Sequence, residues 1–210
     1  MSKNQNFVGI VLAGGRSTRM GNDKASLQIA GQTMLGRVTA LLQSMPACRT
    51  VFVVAAEKQL LPQLPEGVRI LNDRAPHRGP LEGFATALSV MKQDPCIVRS
   101  CFLTSCDAPF LAAPFVTSLV GACQNDVDAA VPVYEGFPQP ISAAYSADII
   151  DVVDDLLAHD EKSMKTLLTR IRCRYVDAES LRDADPELLS LRNLNTPADF
   201  AWAVQKVARQ

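Results

Sequence analysis

Short apolar runs alternate with segments of helical periodicity along the first two-thirds of the chain, and this alternation limits the folds open to it. Each run is bounded by turn-forming residues, which is typical of a buried strand. The predicted strands are Phe7–Leu12 and residues 50–55, 68–71, 101–105 and 129–133. With helices between them, the expected order is β-α-β-α-β-α-β-α-β. Such an order predicts an α/β fold, with a mostly parallel central sheet and helices on both faces.

The helical segments have recognisable ends. The first follows Thr33, a predicted N-cap, and stops at Pro46, and a loop is expected between the first strand and Thr33. The second runs over residues 81–91 and the third over 114–123. Beyond them we expect a strand at 141–145, helices at 149–158 and 164–171, and a strand at 173–176, in an order that the pattern leaves open. A last helix starts after Thr196, where Pro197 suits the first helical position.

The length and the net charge of the chain limit the number of domains and the kinds of partner that we expect. A chain of 210 residues predicts a single domain over residues 1–210. With 21 basic and 22 acidic residues, the net charge of -1 gives no global field that would attract nucleic acid or a membrane surface. The N-terminus lacks the pattern of a secretory signal, so we expect a cytoplasmic protein, and a monomer. Six cysteines without a C-x-x-C pair, and only two histidines, do not predict a disulfide framework or a zinc site.

A glycine turn followed by basic residues comes directly after the first strand. Residues 12–24 read LAGGRSTRMGNDK and include Gly14, Gly15, Arg19 and Lys24. Glycine lets the backbone approach a ligand closely, while Arg and Lys side chains match a multiply charged anion. The spacing is neither that of a P-loop nor that of the dinucleotide-binding motif. The segment predicts a phosphate-binding loop; an ordinary turn with solvated basic side chains is the alternative.

Two acidic residues follow predicted strands. Asp107 stands at the end of the fourth strand, where a carboxylate can hold Mg²⁺ together with substrate phosphates. An aspartate that opens a turn before Pro109 would explain the same residue. Asp73 follows the third strand and precedes residues 78–83 (RGPLEG), which open a helix whose N-terminus can receive a phosphate. From the local sequence alone, Asp73 also suits a turn.

Together these segments resemble the molybdenum cofactor guanylyltransferase family. The first has the pattern L-A-G-G-x-x-x-R-M-G-x-D-K, and residues 106–110 (CDAPF), 79–83 (GPLEG) and 194–197 (LNTP) resemble its later motifs. The resemblance extends from Val8 to about Phe200. It implies a Rossmann-like nucleotidyltransferase fold, with catalytic roles for Arg19, Lys24 and Asp107 and with Mg²⁺ on Asp107. The nucleotide-binding residues that it implies are Leu12, Ala13, Gly14, Gly15, Lys24, Asp73 and Asp107.

The resemblance also implies the reaction. Family members transfer GMP from GTP to the phosphate of molybdopterin, the organic part of the molybdenum cofactor, forming the guanine dinucleotide cofactor and pyrophosphate. Other cofactor-biosynthesis proteins are expected partners. Asn195 either belongs to the start of the last helix or contacts the metal or the acceptor phosphate. At the end of the second strand, residues 54–57 (VAAE) contain no asparagine where guanylyltransferases commonly have one. A cytidylyltransferase, a sugar-phosphate nucleotidyltransferase and a non-catalytic nucleotide-binding module therefore stay open as alternatives.

Overall fold

The alternating pattern produces ten strands and six α-helices in a computed structural model, which describes residues 5–14, 24–75, 78–124 and 126–208. The strands in the described ranges are β1 (Phe7–Leu12), β2 (Gln28–Ile29), β3 (Gln32–Thr33), β4 (Cys48–Ala55), β5 (Val68–Asn72), β6 (Ser100–Ser105), β7 (Ala129–Tyr134), β8 (Phe137–Pro138), β9 (Ala143–Ser146) and β10 (Cys173–Asp177). The helices there are α1 (Met34–Ser44), α2 (Pro80–Gln93), α3 (Ala113–Ala122), α4 (Ile150–Ala158), α5 (Met164–Arg170) and α6 (Pro197–Val207).

Eight strands form one sheet in the order β10-β7-β9-β6-β1-β4-β5, with β8 paired to β7. The pairs β1–β4, β1–β6, β4–β5 and β7–β10 are parallel, whereas β9 is antiparallel to β6 and β7, and β8 is antiparallel to β7. The predicted class, a mostly parallel α/β sheet, is therefore confirmed. The antiparallel strand β9 belongs to the part of the chain whose order the sequence left open.

Alternate residues of each strand enter two apolar cores, one on each face of the sheet. Ile10 of β1 packs in a core with residues of α2, α4 and α5, while its neighbour Val11 packs in a core with residues of α1 and α3. Helices thus cover both faces, as predicted. In the part of the chain that the structure describes, no helix has the length and apolar character needed to cross a membrane.

Two expectations about connections are wrong. The alternating order placed a helix between β4 and β5, but residues 56–67 link these strands without one. Pro62 and Pro65 lie in this connection, and proline inside a helix removes a hydrogen bond and clashes with the preceding turn. The loop expected before Thr33 contains the hairpin β2–β3. Its two turn residues, Ala30 and Gly31, both have positive φ, as the type I′ hairpin turn requires.

The predicted helix starts are confirmed. The Thr33 hydroxyl caps α1 by accepting a hydrogen bond from the Gly36 N–H at 3.1 Å. Thr196 caps α6 in a reciprocal arrangement, in which its hydroxyl accepts from the Asp199 N–H and the Asp199 carboxylate accepts from the Thr196 N–H. Pro197 occupies the first turn of α6. These contacts satisfy backbone donors that a helix start leaves unpaired.

We predict that Thr196→Ala lowers the free energy of unfolding by about 1 kcal/mol, because alanine cannot accept the capping hydrogen bond. Urea unfolding followed by circular dichroism measures the change. Thr117→Ala is the matched control, since Thr117 is exposed inside α3 and its hydroxyl bonds only to the Ala113 carbonyl of its own helix. Equal midpoints for the two variants would contradict the role of the cap.

Candidate active site

The carboxyl ends of four parallel strands meet at one edge of the sheet. In the register of these strands, Leu12 of β1 lies opposite Val54 of β4 and Ser105 of β6, while Ala55 lies opposite Asn72 of β5. Whatever follows each strand therefore emerges on the same side of the molecule. Open α/β sheets bind their ligands at this edge.

The predicted phosphate-binding loop begins as an extension of β1. The Ala13 N–H donates to the Val54 carbonyl at 2.9 Å, and the Leu12 carbonyl accepts from the Cys106 N–H at 3.0 Å. These bonds fix the start of the loop between β4 and β6. Gly14, which follows Ala13, is exposed. Gly15 and Arg19, which the sequence also assigns to the site, lie outside the described residues.

Asp107 lies just beyond β6 and is held from two sides. The Ser105 hydroxyl donates a hydrogen bond to its Oδ1, and its backbone carbonyl accepts from the Leu194 N–H at 2.8 Å. The second bond ties the end of β6 to the segment that enters α6. As a result, the carboxylate has a fixed direction at the sheet edge.

Lys24 approaches the same carboxylate from the other end of the chain. Its ammonium nitrogen lies 3.6 Å from Asp107 Oδ2 and donates a hydrogen bond of 2.8 Å to Asn195 Oδ1. The side chains of Lys24 and Asp107 are each 19% exposed, so water only partly screens the pair. The structure thus brings Lys24 and Asp107, predicted from separate motifs, together with Asn195.

The carboxylate oxygen of Asp107 and the amide oxygen of Asn195 form a set of ligands that suits a hard cation. The Lys24 ammonium already sits between a carboxylate oxygen and an amide oxygen, which shows that a positive charge fits between Asp107 and Asn195. In the described ranges, no group of three or more His, Cys, Asp or Glu side chains surrounds a possible metal position. A metal at Asp107 would therefore need oxygen ligands from a substrate and from water, as Mg²⁺ commonly has.

A small apolar cluster supports Lys24 and Asn195. It joins the hairpin β2–β3 to α6 through the buried residues Ile29, Met34, Leu194 and Ala203. The Phe110 ring, three residues after Asp107, packs edge-on against the Trp202 ring with 5.5 Å between centroids. The cluster brings the loops that carry Lys24, Asp107 and Asn195 to one place.

The capping carboxylate of α6 also fixes the backbone at Asn195. Asp199 Oδ2 accepts hydrogen bonds from the Asn195 N–H at 3.0 Å and from the Thr196 N–H at 2.9 Å. The Thr196 hydroxyl, followed by these two N–H groups, lowers the pKa of Asp199. The predicted cap and the site residue Asn195 therefore belong to one hydrogen-bonded unit.

Asp73 follows β5 at the other end of this edge. Its N–H donates to the Ala55 carbonyl at 2.9 Å. Its Oδ1 atom is buried without a hydrogen-bond partner among the described residues. The pKa of Asp73 is raised mainly by burial of its carboxylate and, after that, by the negative charge of Glu82. Three strand spacings of about 4.8 Å separate the end of β6, which precedes Asp107, from the end of β5, which precedes Asp73, so these two strand ends lie about 14 Å apart.

A buried carboxylate that sequence reasoning missed holds the loop around Asp73. The Glu82 side chain is only 4% exposed, and it lies 3.3 Å from Arg74 Nε and 3.4 Å from Arg78 Nη1. Arg74 also donates a hydrogen bond of 3.0 Å to the Asp154 carboxylate, and Arg78 donates one of 2.8 Å to the Leu157 carbonyl. The loop after β5 is thereby fastened to α2 and α4. The only signal in the sequence was an acidic residue among the buried positions of α2.

Gly83 lets α2 come close to the strand ends. A side chain there would place its Cβ 3.1 Å from Leu12 Cδ2 and 3.6 Å from Asp73 Oδ1. The contact with Leu12 is tighter than ordinary packing allows. The glycine of the GPLEG segment therefore has a packing role next to the end of β1.

Comparisons with known proteins agree with this architecture. The family model described as MobA-like NTP transferase domain matches residues 9–176. A probable molybdenum cofactor guanylyltransferase of Mycobacterium tuberculosis is 36% identical over 206 residues, covering 95% of this chain and 94% of the relative. The molybdenum cofactor guanylyltransferase of Desulfosudis oleivorans is 30% identical over 196 residues, covering 93% of each chain.

A solved structure has the same fold. The crystal structure of molybdopterin-guanine dinucleotide biosynthesis protein A from Archaeoglobus fulgidus superposes with a TM-score of 0.79. The match covers 97% of this chain and 100% of that chain at 22% sequence identity. At this identity the likeness concerns the fold.

We predict that Glu82→Gln lowers the pKa of Asp73, because one of the two causes that raise it is the charge of Glu82. Carbon-13 NMR of the Asp73 carboxyl during a pH titration measures this shift. The variant should also lose about 1–2 kcal/mol of unfolding free energy, since two partly exposed guanidinium groups lose their shared partner. Glu179→Gln, at an exposed ion pair with Arg182, is the control. An unchanged Asp73 pKa would exclude coupling between the two carboxylates.

Proposed function

The chain belongs to the MobA-like NTP transferase domain family, and on that premise we propose that it transfers GMP from GTP to the phosphate of molybdopterin. The products are the guanine dinucleotide form of the cofactor and pyrophosphate. The observation that carries the proposal is the convergence of Lys24, Asp107 and Asn195 at the carboxyl edge of the sheet. The relatives that match more than nine-tenths of this chain are named guanylyltransferases, which supports the choice of substrates.

The reaction exchanges one phosphorus–oxygen bond for another. An oxygen of the acceptor phosphate attacks the α-phosphorus of GTP, and the bond to the β-phosphate breaks as pyrophosphate leaves. A phosphate monoester is already ionised at neutral pH, so the attack needs no histidine or serine as a base. Positioning of the two anions and stabilisation of charge then supply most of the acceleration.

We assign the charge stabilisation to Lys24 and Arg19, with the backbone of Gly14 and Gly15 at the triphosphate, and we assign Leu12 and Ala13 to nucleotide binding. Support for Lys24 comes from its place beside Asp107 at the strand ends. Asp73 follows the end of β5, which lies about 14 Å along the same edge from the end of β6, and an extended nucleotide can span this separation. We therefore assign Asp73 to the nucleoside half of GTP and Lys24 to its phosphates.

Mg²⁺ is the metal we propose, with Asp107 as its protein ligand and with Asn195 Oδ1 within reach. When bound, it would neutralise charge on the triphosphate and polarise the phosphate under attack. The Ser105 hydroxyl, which donates to Asp107 Oδ1, keeps the carboxylate turned toward this position. The hard oxygen donors of Asp107 and Asn195 fit magnesium better than a soft metal.

We further propose that residues 1–210 form one catalytic unit, which acts as a monomer in the cytoplasm alongside other cofactor-biosynthesis proteins. The contacts of α6 with the hairpin β2–β3 support the single unit, because they join both ends of the chain to the site. A net charge of -1 agrees with small anionic substrates held by local charges. Light scattering after size-exclusion chromatography measures the mass in solution.

The decisive assay incubates the protein with molybdopterin, Mg²⁺ and each nucleoside triphosphate in turn. We predict that GTP gives pyrophosphate and the guanine dinucleotide. Preferential use of CTP would replace the assignment by a cytidylyltransferase, and activity only with a sugar phosphate would replace the acceptor. Binding of GTP without any product would favour the non-catalytic module.

Two substitutions test the charged site. We predict that Asp107→Asn lowers kcat at least about a hundredfold, because the variant loses the negative charge that holds the metal. Lys24→Met should lower kcat/KM for GTP by about tenfold or more, since a charge-assisted contact with phosphate is lost. Asp126→Asn is the control, because Asp126 is exposed near the amino end of β7, away from the catalytic edge. Wild-type rates for Asp107→Asn would exclude this carboxylate from catalysis.

The contact between Lys24 and Asp107 also predicts a linkage between metal and nucleotide. Without nucleotide, the ammonium competes with a divalent cation for the same two oxygens. Lys24→Met should therefore bind Mn²⁺ more tightly than the wild type when GTP is absent, as measured by electron paramagnetic resonance. With GTP present, the wild type should bind Mn²⁺ more tightly than it does alone, because phosphate draws Lys24 away. Equal Mn²⁺ affinities of the two free proteins would contradict the competition.

A further inference from the structure

The side chain of Gln59 bridges the ends of two neighbouring strands. It lies in the connection between β4 and β5, where its Nε2 donates a hydrogen bond of 2.9 Å to the Ala13 carbonyl. Its Oε1 accepts a hydrogen bond of 3.3 Å from the Ala56 N–H. Ala13 follows β1 and Ala56 follows β4, so one amide group joins both strand ends.

The two contacts have opposite polarity, and this fixes the orientation of the amide. If the amide group turned over, its NH₂ would face the Ala56 N–H and its oxygen would face the Ala13 carbonyl. Both contacts would then be repulsive. The bridge therefore holds in a single orientation.

The same bridge fixes the peptide bond between Ala13 and Gly14. Its carbonyl is bound by Gln59, and the N–H of Ala13 is bound by the Val54 carbonyl at 2.9 Å. Because the peptide is planar and trans, the Gly14 N–H points away from Gln59. Gln59 thereby sets the direction of a backbone donor at the entrance to the phosphate-binding loop.

A nucleotide that extends along this edge from β6 to β5 lies next to the Gln59 bridge. In the proposed function, the triphosphate lies at Lys24 and Asp107, beside the end of β6, and the nucleoside half extends toward Asp73, beside the end of β5. The ends of β1 and β4 lie between these points. The residues that follow these two strands, Ala13, Gly14 and Ala56, have small side chains or none, whereas Gln59 carries hydrogen-bonding groups into the same region.

We infer that Gln59 is a positioning residue for base selection: it holds the Ala13–Gly14 peptide so that the strand ends present one fixed pattern of donors and acceptors to a purine. The inference rests on the proposed function and adds the residue that controls its choice of nucleotide. A purine is read by the order of donors and acceptors along its edge, and guanine and adenine differ in that order. A peptide that can rotate would accept both bases.

The test compares Gln59→Met and Gln59→Glu with Gln43→Met. Methionine keeps the length of the side chain but removes both contacts, and glutamate keeps the acceptor for Ala56 while losing the donor to Ala13. Gln43 is a matched control, because its Nε2 donates to the Glu66 carbonyl at 2.7 Å and fastens the far end of the same connection. Dissociation constants for GTP and ATP, with KM and kcat for each, are measured on the full chain.

We expect both Gln59 variants to lose about tenfold in preference for GTP over ATP, a change of one hydrogen bond. The loss should come from KM for GTP, with kcat and KM for molybdopterin close to wild type. Gln43→Met should keep the wild-type preference. The inference is overturned if Gln59→Met keeps that preference, or if it loses activity equally with every nucleotide. A wild type that transfers no nucleotide would instead reject the proposed function, so the two failures are distinguishable.

Discussion

The ammonium of Lys24 joins three distant parts of the chain. It contacts the carboxylate of Asp107, which follows a central strand, and the amide of Asn195. Asn195 lies 171 residues after Lys24 in the sequence. An ion pair that is fully exposed to water contributes little to stability by itself. Here the pair is partly shielded from water and connected to backbone hydrogen bonds, so the geometry of the site depends on the packing behind it. The C-terminal segment is therefore part of the site.

The packing that supports this contact is separate from the two main cores. Leu194, Ile29 and Met34 form a small cluster between α6 and the hairpin β2–β3, while the sheet is packed independently on both faces. Because the cluster is small, its contribution to global stability is modest, and a change there would disturb the site before it unfolds the sheet. The capping carboxylate of Asp199 reinforces the same region by holding the Asn195 backbone.

The strands and the helix caps were predictable because each has a local signal. A buried apolar run predicts β1, Thr196 with Pro197 predicts the start of α6, and the spacing of residues 12–24 predicts a phosphate-binding loop. The hairpin β2–β3 was missed because its turn uses Ala30 at a positive φ, where glycine or asparagine is the usual signal. The missing helix between β4 and β5 was wrongly expected because a β-α-β pattern was extended through two prolines.

The features of the site that the sequence did not predict depend on contacts between residues far apart in the chain. Gln59 lies in no motif, and Glu82 lies within GPLEG without a role predicted from the sequence. The importance of Gln59 follows from a partner 46 residues away, and that of Glu82 from a contact that continues through Arg74 to α4. The meeting of Lys24 with Asn195 likewise depends on how the ends of the chain fold back. Sequence periodicity reports which face of an element is buried; it does not report which polar groups meet across elements.

The arrangement of charge along the edge favours an elongated ligand. Lys24 and Asp107 lie at the end of β6, and Asp73 with the Arg74–Glu82–Arg78 network lies at the end of β5, about 14 Å away across three strand spacings. Small residues and the Gln59 bridge occupy the space between them. A single phosphate can satisfy only one end of this row, whereas an extended nucleotide can contact both. Under the proposed function, selection of the ligand comes from the spacing of these two polar groups on one sheet, and this spacing is set by the strands themselves.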